Sequence, residues 1–361
     1  MPTLASTIPV VTPPVRASQD RAADLEQAIA RDPSSFRILT GDRPTGALHL
    51  GHYFGSLHNR VRLQDAGVEL FVLIADYQAI TDRSAQSELP DIVTGLVADY
   101  LAVGIDPERA TIFAHSQIEP LNQLLLPFLS LVSVAEIGRN PTVKDEIAAS
   151  GSVTVSGLMF TYPVHQAADI LFCHANLVPV GSDQLPHIEL TRTIARRFNE
   201  RYCPDAPYFP VPDGLLSTAP LLLGTDGQKM SKSRNNSVPL RATPDETARL
   251  VSRAKTDSER YISYEPERRP EVSNLLLLTA LCLDSTPQAV ADEIGGGGAA
   301  KLKAVAIEAI NDRFADLRAR RADLAADPGY LRSVLSAGNQ RAAAIAAGTL
   351  QRVRELMHQH Y

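Results

Sequence analysis

A doubly wound α/β protein with a parallel sheet, followed by an all-α C-terminal domain, is expected for this chain on three observations. Short apolar, largely β-branched or aromatic runs at residues 36–40, 70–75, 111–114 and 177–180 alternate with longer helical stretches, as βαβ units around a buried parallel sheet require. Beyond about Pro244 the strand signals fade and Ala-, Leu- and Arg-rich helical segments remain. A length of 361 residues exceeds one small core and fits one large α/β unit plus an appended domain.

In chain order, residues 1–17 carry four prolines and no periodicity, which predicts a flexible extension. A short helix follows, capped by Ser18, with Ala22, Leu25, Ala28 and Ile29 on one face, and stopped at Asp32-Pro33. The four strands are then joined by helices over 49–64, 91–103, 121–137, 157–172 and 184–201. The C-terminal helices are broken at Gly295 to Gly298 and at Asp327-Pro328-Gly329. With 44% hydrophobic and 21% charged residues the chain is an ordinary globular one, so the disordered, collagenous and disulfide-scaffold classes are excluded. No apolar run reaches membrane-spanning length and no secretory signal is legible, so no membrane partner is expected and the cytoplasm is the expected compartment. Cys173, Cys203 and Cys282 are too scattered for a zinc or disulfide framework. The net charge of −6 argues against nucleic-acid binding through global electrostatics. From Ala299 onward, however, two lysines and eight arginines face six carboxylates, a local +4 that leaves −10 for the rest.

Two segments are able to carry chemistry. TGDRPTGALHLGH, Thr40 to His52, leaves the first strand and enters a helix, where free N–H groups and the helix dipole favour an anion. Its glycines let the backbone turn or approach a ligand, and His49 and His52, three apart, share a helix face and are able to donate to one polyphosphate. GTDGQKMSKSRNNS, Gly224 to Ser237, is a polar loop with Lys229 and Lys232 and no acid beside them, suited to closing on phosphate where charge develops during nucleotidyl transfer.

HLGH and KMSKS resemble the two signature motifs of class I aminoacyl-tRNA synthetases. IADYQAIT, ADYLAVGIDP, TYPVHQAADIL and LVPVGSDQLPHIELTRTIARRFN narrow the resemblance to tryptophanyl-tRNA synthetases, from about Phe36 to the C-terminus. The resemblance implies a class I Rossmann-like catalytic domain at 34–243 after the 1–33 extension and helix, and a helical anticodon-binding domain at 244–361. It implies that L-tryptophan is activated with ATP, with one Mg²⁺ on the phosphates, and transferred to tRNA(Trp) by a homodimer. The implied nucleotide residues are His49, Gly51 and His52 on ATP, with Arg43, Pro44 and Thr45 in the same loop and Gly181, Ser182 and Asp183 at the adenosine. Lys229, Met230, Ser231, Lys232 and Ser233 stand at the departing pyrophosphate, and Lys144 adds a further positive group. Tryptophan is read by Asp169, the acceptor an indole N–H needs, and Tyr162 and Gln184 meet the α-amino group. Gln78 and Gln166 stand in the pocket, and Leu39, Val178 and Val180 face the ring. The helix 121–137 equally suits an interface or core packing, and Arg313, Arg318, Arg320, Arg321, Arg332, Arg341, Arg352 and Arg354 suit phosphate contacts.

The sequence departs from common bacterial members at Gln78, Gln166 and His52. With DRPTG these departures resemble a second, auxiliary bacterial type that in some bacteria accompanies resistance to indole-containing antibiotics. Tyr-x3-Gln-x2-Asp also resembles the tyrosine-reading motif of tyrosyl-tRNA synthetases, whose phenol Asp169 would equally serve, whereas the VPVGSDQLPHIELTR block favours tryptophan. An H-x-G-H nucleotidyltransferase is the third alternative, but such enzymes lack KMSKS, and an idle paralogue is disfavoured by the intact signature residues.

Overall fold

The computed structural model describes residues 13–79, 88–141, 143–144, 156–181, 184–216, 221–231 and 234–361, the first eight of them by backbone only. Five strands form one parallel sheet, β1 (Arg37–Asp42), β2 (Glu69–Ile74), β3 (Ala110–Ala114), β4 (Leu177–Val180) and β5 (Asp213–Leu216), in the order β3-β2-β1-β4-β5. The chain winds outward on one side of β1 and then returns to wind outward on the other, which makes β1 and β4 the topological switch point. Strands β1 to β4 are buried on both faces: Leu70, Val72 and Ile74 of β2 enter one core while Phe71 and Leu73 enter the other.

The four expected strands are present. β1 continues two residues beyond expectation, through Gly41 and Asp42, because a side chain at Gly41 would come 2.5 Å from the Leu73 carbonyl of β2 and glycine alone keeps that register close. β5 was not anticipated, since Asp213-Gly214-Leu215-Leu216 is short, flanked by Pro212 and carries little β-branching; pairing with β4 creates it.

Helix α1 (Pro13–Arg31) starts earlier than its expected cap at Ser18, and residues 1–12 of the expected extension lie outside the described residues. Ala22 and Ile29 are buried, and Arg21 reaches Asp213 of β5 at 2.6 Å. The helix after the first motif comprises α2 (Leu50–His52), a π turn (Tyr53–Leu57) and α3 (His58–Ala66). It is followed by α4 (Asp76–Ala79) and α5 (Leu89–Val103). The single helix expected over 121–137 is instead α6 (Glu119–Gln123), α7 (Leu125–Leu129) and α8 (Val134–Arg139). Pro127 and the Ser133/Glu136 capping box break it, Pro120 starting the first piece two residues early, and the pieces share one buried face. Helices α9 (Gly157–Leu171) and α10 (Leu185–Tyr202) fall where expected and pack on the same face of the sheet.

After β5 the described elements are all helical: α11 (Pro244–Ser252), α12 (Pro270–Cys282), α13 (Pro287–Ile294), α14 (Gly298–Ala325) and α15 (Pro328–Leu356). Their apolar side chains do not form a core of their own. Leu276, Ile310 and Phe314 join the cluster that holds Ile38, Val72 and Tyr100 of the sheet domain. Helix α15 lies along the β3 edge, where Asn339 accepts the Ala114 N–H at 3.0 Å and covers a strand that would otherwise offer open backbone. Cys173, Cys203 and Cys282 are all buried and free, and burial pushes the Cys173 thiol up to about 12, so it stays an inert thiol. Among the described residues no helix is long and apolar enough to cross a membrane.

Candidate active site

The carboxyl ends of β1, β2 and β4 meet α9 and the π turn around a cavity of about 500 Å³. Leu39, Gln78, Gln166, Asp169, Val178, Val180 and Gln184, seven of the eight residues expected at the amino acid, line it. Tyr162, the eighth, lines an adjoining pocket of about 90 Å³ that shares Arg43, Gln78, Gln166 and Gln184. From the expected nucleotide set Arg43, His52 and Gly181 line the main cavity. Pro44 is buried and Thr45 exposed in the loop after β1, and neither lines it; Lys144 is exposed beyond α8 and does not line it either. Ser182, Asp183, Lys232 and Ser233 lie outside the described residues.

The first motif is shaped by backbone demands. Gly46 has φ +126°, a value that disfavours any side chain. His49 is buried in extended backbone ahead of α2, and its ring lies 3.7 Å from that of His52, centroid to centroid. The His49 N–H donates to His52 Nδ1 at 3.2 Å, so a neutral His52 ring carries its proton on Nε2. A side chain at Gly51 would stand 3.0 Å from His49 Nδ1 and 3.4 Å from the Met230 sulfur. A side chain here would press on the His49 ring and only touch Met230, so the glycine chiefly makes room for the histidine of its own motif.

That second loop is built by a residue the sequence did not single out. Asn236, buried, accepts the Ser231 N–H at 2.8 Å and donates to Asp226 at 2.7 Å and to the Lys229 carbonyl at 3.2 Å. A side chain at Gly224 would overlap the Asn236 amide, 2.3 Å from its Cγ. Lys229 stays exposed while Met230 is buried, which alternates anchor and charge along the loop. Leu50 N–H to the Val238 carbonyl, 3.0 Å, and Leu240 N–H to the Leu48 carbonyl, 2.9 Å, tie the two motifs into one antiparallel bridge.

Beneath His52 the cavity wall holds a buried ion pair. Arg60 meets Asp42 at 2.7 Å and Tyr100 donates to the same carboxylate oxygen at 2.8 Å. Burial penalises the Asp42 charge, but the Arg60 guanidinium and hydrogen bonds outweigh it and lower its pKa to about 2.

At the opposite end Asp169 is fully buried, and His115 Nδ1 lies 3.1 Å from its Oδ1. His115 Nε2 receives the Tyr77 N–H at 3.0 Å. That bond needs a lone pair on Nε2 and puts the ring proton on Nδ1, facing Asp169. Burial disfavours the charged His115 ring, yet the Asp169 charge raises its pKa above the ordinary histidine value; the Tyr77 hydrogen bond, a direct geometric constraint, identifies the neutral ring in this arrangement. Tyr162 is oriented in the same manner, its hydroxyl 3.1 Å from Nε2 of the buried His187. His115 follows β3 and His187 stands one turn after Gln184; strand-end and helix-face position are the signals that would have found both.

Seven of the eight C-terminal arginines make hydrogen bonds or ion pairs within the chain. Arg318 donates to the Leu240 carbonyl and Thr247, Arg320 to the Ala102 carbonyl and Arg341 to those of Pro107 and Ala110. Arg321 pairs with Asp99, whose other oxygen accepts the Leu48 N–H of the first motif. Arg313 and Arg352 pair with Asp284 and Glu355, and Arg354 donates to Gln123. Arg332 is exposed and forms no ion pair with a described residue.

A parallel sheet in this order, with an H-x-G-H turn at its carboxyl edge packed against a K-M-S-K-S loop, is the architecture of a class I aminoacyl-tRNA synthetase. Within that class the chain belongs to the family described as tRNA synthetases class I (W and Y), whose profile matches residues 32–315. It is 41% identical over 339 residues to the tryptophan–tRNA ligase of Streptococcus pyogenes serotype M1, covering 90% of this chain and 98% of that one. The tryptophan–tRNA ligase of Treponema pallidum (strain Nichols) is 41% identical over 330 residues, 89% of this chain and 96% of its own. The crystal structure of tryptophanyl-tRNA synthetase from Campylobacter jejuni complexed with ADP and tryptophan matches with a TM-score of 0.78 at 29% identity, covering 90% of this chain and all of that one.

Proposed function

We propose that this chain is a tryptophan–tRNA ligase. In the first step an oxygen of the tryptophan carboxylate attacks the α-phosphorus of ATP, the bond to the bridging oxygen breaks, and pyrophosphate leaves. In the second a terminal ribose hydroxyl of tRNA(Trp) attacks the activated carbonyl and AMP leaves. The observation that carries this reading is the cavity whose lining brings Asp169 and His52 together with Gln78, Gln166 and Gln184.

Both steps need alignment and charge compensation more than a protein nucleophile. Leu39, Val178 and Val180 supply apolar walls for the indole and Asp169 the acceptor for its N–H. Tyr162, held by His187, and Gln184 receive the α-amino group. Arg43 and the Nε2 proton of His52 face phosphate oxygens, His49 and Gly51 support His52, and Lys229 with Ser231 and Lys232 meets the departing pyrophosphate. Mg²⁺ would travel on the nucleotide: the cavity carboxylates Asp42 and Asp169 are engaged by Arg60 and His115, so its ligands come from phosphate oxygens. The C-terminal helices carry the anticodon contacts and the chain works as a cytoplasmic homodimer; Leu126 and Val134, each 74% exposed, support the dimer.

Pyrophosphate exchange into ATP, run with each of the twenty amino acids, tests the reading. Exchange with tryptophan alone is expected, and exchange with tyrosine alone would move the specificity to the other branch of the family. A second reading concerns inhibitors. Gln78 and Gln166 face the cavity with polar amides in place of the histidine and methionine of common bacterial members, which supports an auxiliary, indolmycin-tolerant copy. Half-inhibition is expected at a concentration at least about tenfold above that for an ordinary bacterial synthetase, the effect of one lost hydrogen bond or packing contact; equal sensitivity rejects it.

A further inference from the structure

The end of the cavity that receives the indole has a polar support outside the residues assigned above. Asp76 begins α4, and its carboxylate accepts both the N–H and the hydroxyl of Ser116. That clamp holds α4 against the turn after β3, so the next amide, Tyr77 N–H, points at His115 Nε2 at 3.0 Å. His115 Nδ1 then faces Asp169, 3.1 Å from Oδ1 and 3.4 Å from Oδ2. The members of this relay come from three segments: Asp76 and Tyr77 from α4, His115 and Ser116 from the turn after β3, and Asp169 from α9.

Resting on the tryptophan reading, we propose that His115 is a positioning residue for substrate recognition: it fixes the Asp169 carboxylate in the orientation that accepts the indole N–H. Asp169 needs such a partner. It has no solvent to orient it, and a buried carboxylate with no donor would turn toward whichever polar group is nearest. A carboxylate accepts at about four lone-pair sites, so one bond from His115 leaves capacity for the ligand. Both ring nitrogens of His115 are occupied, one by Tyr77 and one by Asp169, and the ring is fully buried, so it does not compete for the substrate.

His115, His165 and Asp169 also have the composition of a metal triad, their ligand atoms lying within 4.8 Å of one another. The hydrogen bonds decide against that use. Tyr77 fixes the proton on His115 Nδ1, the nitrogen that faces Asp169, so in this arrangement that nitrogen offers no lone pair to an ion.

The test compares tryptophan with β-(3-benzothienyl)alanine, in which sulfur replaces the ring N–H, by the ratio of kcat/KM in pyrophosphate exchange. Wild type should prefer tryptophan by at least about tenfold, the discrimination expected of a hydrogen bond to a buried charge. In His115→Leu the preference should fall by about tenfold, mainly through the KM for tryptophan, with the KM for ATP unchanged. His115→Asn places an amide N–H near the position of Nδ1 and should restore the preference to within about twofold, whereas His115→Gln should not. A merely structural role predicts the opposite pattern, in which both substrates weaken together and the ratio in His115→Leu stays at the wild-type value. That result overturns the proposal. If His115→Leu fails to fold, equal ratios in His115→Asn and His115→Gln overturn it instead. Absence of exchange with tryptophan in the wild type would overturn the ligase reading itself, and this inference with it.

Discussion

Asn236 illustrates how little of a catalytic loop's order comes from its signature letters. One buried amide holds Asp226, Lys229 and Ser231 by three hydrogen bonds, in the loop whose Met230 lies near Gly51. Replacing Asn236 by alanine removes the amide to which the Ser231 N–H and the Lys229 carbonyl bond, a cost of about 1–3 kcal/mol. The expected outcome for Asn236→Ala is a fall of more than about tenfold in kcat for pyrophosphate exchange with the tryptophan KM unchanged, because an unformed loop withdraws stabilisation that matters only as charge develops. An unchanged kcat would show that Lys229 and Ser231 find their places without it. Asp42 belongs to the same scale: aspartate after a strand glycine reads as a turn residue, and only its pairing with Arg60 and Tyr100 makes it part of the cavity wall.

At the scale of elements, the contact between α15 and β3 is the most exacting. A side chain at Gly338 would stand 1.8 Å from the Ile112 carbonyl oxygen, so the helix would have to lift from the strand and break the bond between Asn339 and Ala114 N–H. Gly338→Ala is expected to lower unfolding stability in urea by about 3 kcal/mol or more. Gly348→Ala on the same helix meets nothing within 4 Å and should raise it by up to about 1 kcal/mol. Equal effects of the two would refute the tight docking. Periodicity located α5, α9 and α10 because each buries a continuous apolar face, yet it merged α6, α7 and α8: three short helices sharing a buried side present the same apolar spacing as one.

For the whole molecule, the division at residue 244 is a change of architecture without a change of core. Phe314 packs edge-to-face with Tyr53, 4.8 Å between ring centroids, and Arg321 joins α14 to Asp99 of α5. Calorimetry is therefore expected to show one cooperative unfolding transition, with calorimetric and van't Hoff enthalpies that agree. Two resolved transitions would show that the helical segment unfolds as an independent domain. The same integration accounts for half of the C-terminal arginines: Arg318, Arg320, Arg321 and Arg341 fasten α14 and α15 to backbone carbonyls and a carboxylate of the sheet domain.

The alternation of apolar runs, the H-x-G-H turn after the first strand, the lysine loop and the i, i+4, i+7 spacing of Tyr162, Gln166 and Asp169 were legible in the linear chain, because each depends on neighbours within a few turns. Seven of the eight residues that the resemblance placed at the amino acid line one cavity. Strand β5, the nearness of Met230 to Gly51, the pairing of Asp42 with Arg60 and the relay from Asp76 through His115 to Asp169 join residues that are distant in sequence, from 18 positions apart to 179. No local pattern encodes such pairs. They are settled by packing, where a buried polar group must find a partner and a backbone edge a cover, and the partner is whichever side chain the topology delivers.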